Sequence, residues 1–591
     1  MNGSRMATQV VAGLVASVLG LAALAQEAHP PADTLSGAFP KKSYSPHAGR
    51  NFPTRPFFGD THVHTGASMD AGAFGARTTP ADAFRFASGE EITASNGMRV
   101  KLARPLDFIV VADHSDNMGF FPKLFAGDPG YLADPTGKRW YDDVQKGGEA
   151  AVKVAMEVID SFSKGTFPPA LASLPGTQTY RGAWDVVLKA AEAYNRPGQF
   201  TAFIGFEWTS NTGGNNLHRV VMFRDDADKA GRIEPYTTIR PVGSDDPKDL
   251  WTYLQAYEDK TGGEVLAIAH NGNLSNGIMF PEVDSFTGQP ITKEYAETRA
   301  RWEPVYEVTQ MKGDGEAHPF LSPNDEMAGH ELWDKFNLNM SVPKENSMLQ
   351  FEYARTALQV GMQLEAKLGT NPYKFGMIGS TDTHTGLATA DEDNFFGKHA
   401  GTEPNAKRME HPVGCFGDNC ILGWSQAAAG YAGVWATENT REAIFDAMER
   451  KETYATTGPR MVVRFFGGWD FVAADAANRL PADVGYAKGV PMGGDLRAAP
   501  SGKSPTFLVG AMKDPLSGNL DRVQIVKGWI DAAGARQEKV YDVAWSGNRK
   551  PGANGKLPAV GSTVDVANAT WTNTIGASEL ITVWKDPDFD P

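Results

Sequence analysis

Five apolar runs along the chain stop on a carboxylate or an imidazole. They are FFGDTHVH (57–64), FIVVADH (108–114), FIGFEW (203–208), LAIAHNG (266–272) and FGMIGSTDTH (375–384). A sixth run, HRVVMF (218–223), begins on one. Short continuous apolar stretches of this kind read as strands buried on both faces, the signature of a largely parallel sheet. Between them lie helical patterns. EAAVKVAMEVIDSFSKG and RGAWDVVLKAAEAYNRPG are the clearest, and in the second Trp184, Val187, Leu188, Ala191 and Tyr194 keep helical spacing until Pro197-Gly198 stops it. Asn439, with Glu442 three positions on, is expected to cap a last helix through Ile444, Phe445 and Met448. Past Arg460 the pattern changes to short alternating or aromatic-rich stretches, VQIVKGW, VYDVAW and LITVW, set between Gly, Pro and Asn turns.

The reading is an α/β barrel domain over 56–460, with helical insertions at 115–199 and 280–350, followed by a small all-β domain over 461–591. Residues 26–55, rich in Pro, Gly and Ser, form an arm without a core of its own.

Composition refines this only at the edges. A chain of 591 residues with 41% hydrophobic and 21% charged residues is ordinary globular protein. A net charge of −15 argues against a nucleic-acid partner. The first 25 residues carry one basic residue, Arg5, then an apolar run and Ala23-Leu24-Ala25, the layout of a signal peptide cleaved near Ala25. The mature protein is therefore expected in the periplasm or outside the cell. The uncharged run is near the lower limit for spanning a bilayer, so no stable membrane anchor is expected. Cys415 and Cys420, the only cysteines, sit in the turn-like CFGDNC and would suit one small disulfide loop in an oxidising compartment.

The candidate chemistry lies in the histidines. His62 and His64 are two apart at the end of a strand, so both imidazoles face one side. Asp382 and His384 repeat that spacing. Six of the twelve histidines, His62, His64, His114, His218, His270 and His384, fall at strand ends or starts of one domain. The other six lie in loops or helices and read as solvated. Glu207 ends an otherwise apolar run, where an ionised carboxylate is costly unless a cation opposes it. Converging imidazoles and carboxylates are what a first-row divalent metal requires, and a polynuclear metal site follows.

The order HxH, Asp, DH, Glu, His, AH, DxH resembles the PHP (polymerase and histidinol phosphatase) metallohydrolase superfamily. Longer phrases, among them VYEVTQMKGDGEAHPFLSPNDE, NPYKFGMIGSTDTHTGL, EDNFFGK and ENTREAIFDAMERKETYATTGPRMVVRFFGGWD, resemble its bacterial branch known as domain of unknown function 3604. The resemblance implies a distorted (β/α)7 barrel holding two to three divalent transition metals, Zn, Mn or Fe. It implies that His62, His64, Glu207 and Asp382 hold one ion and that Glu207 bridges to a second held by His218 and His270. Asp70, His114 and His384 would hold a third. Glu207, Asp382 and His384 would carry the chemistry, with a water activated between the metals attacking a small anionic or ester substrate. Phosphoester hydrolysis comes first; carboxylic ester, lactone or amide hydrolysis is the alternative. A non-catalytic metal- or carbohydrate-binding protein is the remaining reading. Asp113 is expected to support His114, and Lys312 and Arg460 to hold the substrate's anion, ahead of Glu316 and His318. The family pattern continues beyond WKDPDFDP, which leaves the C-terminal domain short at Pro591. The oligomeric state is left open.

Overall fold

Alternate residues of the predicted strands serve two different cores. Ile109, Val111, Ile204, Phe206, Val221 and Phe223 enter one apolar cluster, while their neighbours Phe108, Val110, Phe203, Val220 and Met222 enter another. That is the two-residue period of a sheet covered on both faces. The computed structural model describes residues 51–590 apart from 164, 165, 417, 418, 428 and 498. The segment expected to be a signal peptide and most of the expected arm therefore lie outside the described residues.

The strands are β1 (Phe57–Val63), β2 (Phe108–Val111), β3 (Thr201–Trp208), β4 (Arg219–Phe223), β5 (Val265–His270), β6 (Val305–Gln310), β7 (Gly376–Gly379), β8 (Ala432–Val434) and β9 (Thr453–Ala455). They form one curled sheet in the order β7-β6-β5-β4-β3-β2-β1-β8-β9. Strands β1, β2 and β3 run parallel, as do β5, β6 and β7, and β4 lies antiparallel between the two sets. The six strands β1–β3 and β5–β7 thus point their carboxyl ends at one rim, and β4 starts there. At that rim the curl draws its ends together: His64 N donates to Thr383 O at 2.9 Å, and Val63 bridges Thr383 in parallel. The register slips between Asp60 and Val63 and again between Ile378 and Gly379. Such irregularities re-aim side chains beside functional sites.

Helices cover both faces. On the first, α1 (Pro80–Ala87), α2 (Gln178–Tyr194) and α3 (Pro247–Thr261) contribute Phe84, Trp184, Val187, Trp251 and Leu254. Trp184 meets Phe206 edge-on at 6.2 Å. On the second face, α4 (Arg441–Glu449) lays Ile444, Phe445 and Met448 against the strands. Each such large apolar side chain contributes roughly 1.5–3 kcal/mol on burial. The cap of α4 is Thr440, whose hydroxyl accepts from Ala443 N. Asn439 instead binds Thr201 Oγ1 and the carbonyls of Asp107 and Gln199, tying the helix to β2 and β3.

Two expectations change. The stretch 115–199 holds three more helices than the two predicted, Phe120–Ala126, Pro129–Ala133 and Pro135–Lys146. The stretch 280–350 is not wholly an insertion, because it contains strand β6 of the main sheet. In β6, VYEVTQ, polar Glu307, Thr309 and Gln310 are all buried, so it lacks the continuous apolar look of the other strands. Beyond β9, the strands Val462–Gly468, Thr506–Met512 and Glu579–Lys585 share a four-stranded sheet, and Arg522–Ile530 pairs with Arg536–Trp545. This C-terminal region is β-rich as predicted and adds one short helix, Pro481–Lys488. Residues 415 and 420 are cross-strand partners in a hairpin; their side chains lie outside what the structure describes. No helix among the described residues is long and apolar enough to cross a membrane.

Candidate metal centre

At the rim the strands deliver their polar ends to one place. His62 is the penultimate residue of β1, with His64 just beyond it. His114 follows β2, Glu207 lies in β3, His270 ends β5, and Asp382 and His384 follow β7. His218 precedes β4 and reaches the same rim because that strand alone of the seven runs the other way. Asp382 adopts a left-handed backbone, φ 53°, an unfavourable conformation for an aspartate that the surrounding contacts must hold. Nearly all of these side chains are buried, His62, His64, His270 and Asp382 completely.

Glu207 is the hub. Its Oε2 lies 3.4 Å from His62 Nε2, 3.2 Å from His64 Nε2 and 3.0 Å from His114 Nδ1. Its Oε1 lies 2.7 Å from His218 Nδ1 and 2.9 Å from His270 Nε2. Asp382 Oδ1 lies 3.6 Å from His62 Nε2, 3.3 Å from His64 Nε2 and 3.0 Å from His384 Nε2. Asp70 Oδ2 stands 2.9 Å from His114 Nε2 and 3.4 Å from His384 Nε2.

These are metal-ligand spacings. Donor atoms about 2.1 Å from one tetrahedral ion lie about 3.4 Å from each other. The protonation logic agrees. His62 Nδ1 is 3.2 and 3.3 Å from the oxygens of Glu307, an acceptor, so that nitrogen carries a hydrogen. His64 Nδ1 is 3.0 Å from Ser68 Oγ, which spends its own hydrogen on Asp70 and so accepts from His64. Nε2 is then the atom each ring has left for an ion, and the two Nε2 atoms lie 3.0 Å apart with two carboxylate oxygens beside them. Glu207 Oε2 and both ring nitrogens of His270 are buried with no hydrogen-bond partner. Four acceptors facing one point need a cation. Three overlapping groups could hold one: His62–His64–Asp382, His62–Glu207–His270 and His64–His114–Glu207.

The electrostatics show what a metal would replace. Burial lowers the pKa of His62, yet Asp382, Glu307 and Glu207 together hold it well above the ordinary value. His114 likewise resists burial and is raised to about 9 by Asp70 and Glu207. Burial keeps His218 neutral, down at about 3, and also lowers His270 and His384. Burial pushes the carboxyls of Glu207 and Asp70 up, but their imidazole neighbours hold both well below the usual carboxylate range. The carboxylates thus stay charged, and protons on His62 and His114 stand where metal ions would bind.

The sequence profile of the family described as a protein of unknown function, DUF3604, matches residues 51–591. The chain belongs to the DUF3604 family. No protein with a curated description matches it. Among solved structures, a two-domain protein from Bacteroides vulgatus, containing a predicted PHP-like metal-dependent phosphoesterase, is similar at 11% identity and a TM-score of 0.29, over 90% of this chain and 94% of that one.

In this DUF3604 chain all nine predicted ligands gather in one cluster, and Lys312 joins them at 2.6 Å from Asp382 Oδ2. Other assignments change. Arg460 donates to the carbonyls of Arg104 and Pro105 and faces Asp391, so its charge holds the C-terminal region and does not enter the cluster. Asp113 accepts from the amide and hydroxyl of Thr65 at 2.6 and 2.7 Å, anchoring the segment after His64. His114 is oriented by Thr209 Oγ1 at 2.6 Å instead. Glu316 pairs with Arg355 and His318 with Asp334, away from the ligands. His318 is buried and His399 half-buried, contrary to the solvated reading.

Three participants escaped the sequence reading. Glu307 fixes His62, Gln310 Nε2 donates to Asp382 Oδ2 at 2.6 Å, and Lys398 Nζ lies 2.8 Å from Asp382 Oδ1. Glu307 and Gln310 carried a signal, polar residues within an otherwise strand-like run, but Lys398 in a loop carried none.

Proposed function

We propose that the protein is an exported PHP-type metal-dependent hydrolase that cleaves phosphoesters at this rim, β1–β7 being its distorted barrel. The observation that carries the reading is the convergence of His62 Nε2, His64 Nε2, Glu207 Oε2 and Asp382 Oδ1 at 3.0–3.6 Å, buried and short of hydrogens. His62, His64, Glu207 and Asp382 would hold one ion, Glu207 with His218 and His270 a second, and Asp70, His114 and His384 a third. The donor set of imidazoles and carboxylates suits Zn, Mn or Fe. Divalent ions bound there would lower the pKa of a water and neutralise charge on the reacting group.

The chain's own residues do the rest. Glu307 and Ser68 fix the tautomers of His62 and His64 so that Nε2 remains a ligand atom. Strands buried on both faces hold the donors rigidly, which keeps reorganisation small when charge develops. Asp70, about a quarter exposed, marks the side on which substrate enters. The test is metal analysis of the purified protein followed by a panel of phosphomonoesters, phosphodiesters, sulfates, lactones and amides. Metal-loaded protein should turn over phosphoesters; hydrolysis of lactones or amides alone would replace the reading by its alternative.

A further inference from the structure

Asp382 faces more positive charge than one carboxylate offsets. Lys312 Nζ lies 2.6 Å from its Oδ2, and Lys398 Nζ lies 2.8 Å from its Oδ1. Lys398 also donates to the Asp382 backbone carbonyl, and Gln310 already donates to Oδ2. Among the described residues neither ammonium has a second ion-pair partner. The Lys398 side chain is buried, 2% exposed, and that of Lys312 is mostly covered, 13% exposed. A buried ammonium costs several kcal/mol unless it is opposed. Here two share one carboxylate.

Ion binding sharpens the imbalance. A divalent ion held by Asp382 would draw on the same negative charge the lysines need. Asp70 and Glu207, the other carboxylates that act on these lysines, would be engaged by ions too. The balancing charge must therefore arrive with whatever enters the site. The entrance is on this side, since Asp70 and Lys312 are the most exposed members of the cluster while His62, His64 and Asp382 are closed off.

We propose that Lys312 and Lys398 form an anion subsite beside Asp382 that receives a tetrahedral oxyanion, Lys312 at the opening and Lys398 beneath it. An ammonium offers three donors without a fixed plane, which suits a tetrahedral group approached from one corner. The subsite rests on the reading of the rim as a metal-dependent hydrolase and narrows it. Substrates whose reacting group keeps a negative charge are admitted, and neutral lactones and amides gain nothing from the lysines.

The experiment titrates metal-loaded protein with inorganic phosphate and with sulfate, in wild type, Lys312→Met, Lys398→Met and Lys312→Arg, with metal content measured on each sample. Wild type should bind phosphate. Each methionine variant should bind it about ten- to a hundredfold more weakly, the loss of one charge-assisted hydrogen bond, at unchanged metal content. Lys312→Arg should stay within about threefold of wild type, because its charge is kept. Unchanged phosphate affinity in both methionine variants would overturn the subsite, and so would a loaded wild type that binds neither anion. If Lys398→Met fails to fold or load, Lys312→Met, at the more exposed position, decides alone. Phosphate bound through these lysines by a protein that hydrolyses no phosphoester would refute the phosphatase reading and leave the subsite standing.

Discussion

Replacing Glu207 by glutamine tests the centre of the arrangement, because it changes one oxygen to an amide and removes one charge at almost constant shape. Glu207 is 1% exposed and stands within 3.4 Å of five imidazoles. An amide keeps one weak acceptor oxygen, so at most one of the two ligand sets retains a donor there. Breaking a buried, fully engaged charge pair typically costs about 3–5 kcal/mol, which corresponds to roughly 10²–10⁴-fold in affinity. The loss should fall on both the His62–His64 side, reached by Oε2, and the His218–His270 side, reached by Oε1. Wild type and Glu207→Gln would be purified together, their metal content measured by mass spectrometry, and their affinities ranked by competition with a chelator of known strength. Circular dichroism would confirm that the variant is folded. We expect metal on both sides to fall together, and activity with it. A folded variant that keeps wild-type metal content and chelator resistance would refute the bridging role; loss of one ion alone would confine Glu207 to one side.

Other outcomes follow from the same geometry. His384→Ala removes a nitrogen placed between Asp70 and Asp382 and should lower turnover more than substrate affinity; kinetics across aryl phosphates should show a steeper dependence on leaving-group pKa than wild type. The mature protein should begin near Gln26 and be released soluble by osmotic shock, with Cys415 and Cys420 resistant to alkylation until reduced. Intact-mass measurement decides this, and a retained N-terminus with two free thiols would count against both. Glu352, beside Lys344, is pushed by burial up to about 7 from its ordinary 4.5. The folded chain then keeps a proton there that the unfolded chain has lost, so the resulting stabilisation is full below about pH 4.5 and is lost as pH rises through 7. Denaturant titrations of Glu352→Gln should show a slope of stability against pH flatter than wild type between pH 5 and 8, by up to roughly 3 kcal/mol in total.

Much of the site was legible because strand ends mark themselves. Apolar runs closed by His62, His114, Glu207, His270 and Asp382 announce buried strands whose polar ends must meet, and the HxH and DxH spacings state which residues share a face. The strand β6 was harder to read, since Glu307, Thr309 and Gln310 interrupt its apolar run, Glu307 and Gln310 to serve the centre. The extra helices in 115–199 did carry signals: Asp128-Pro129 and Asp134-Pro135 are cap and first-turn pairs, and both aspartates cap as such pairs should. Asn439 looked like a cap, but Thr440 took that place, and three contacts at the starts of β2 and β3 claim the asparagine. Lys398 stands beside Asp382 and Arg460 does not, for a reason no linear pattern contains. Which cation faces the ligands depends on how the loops after β7 and β9 fold back.

The ligands span the chain from His62 to His384, and they become neighbours only through pairing of strands far apart in sequence. A newly made or translocating chain thus offers an ion nothing better than an isolated HxH or DxH, a weak chelate. The full set of donors exists only once the curled sheet has closed. Metal acquisition would then be a late event, and the ion captured would be settled by the supply present where folding finishes as much as by the donors themselves. For a chain that crosses a membrane before folding, that supply is the one outside the cytoplasm, so protein made in a different compartment can be well folded, correctly shaped and loaded with the wrong metal.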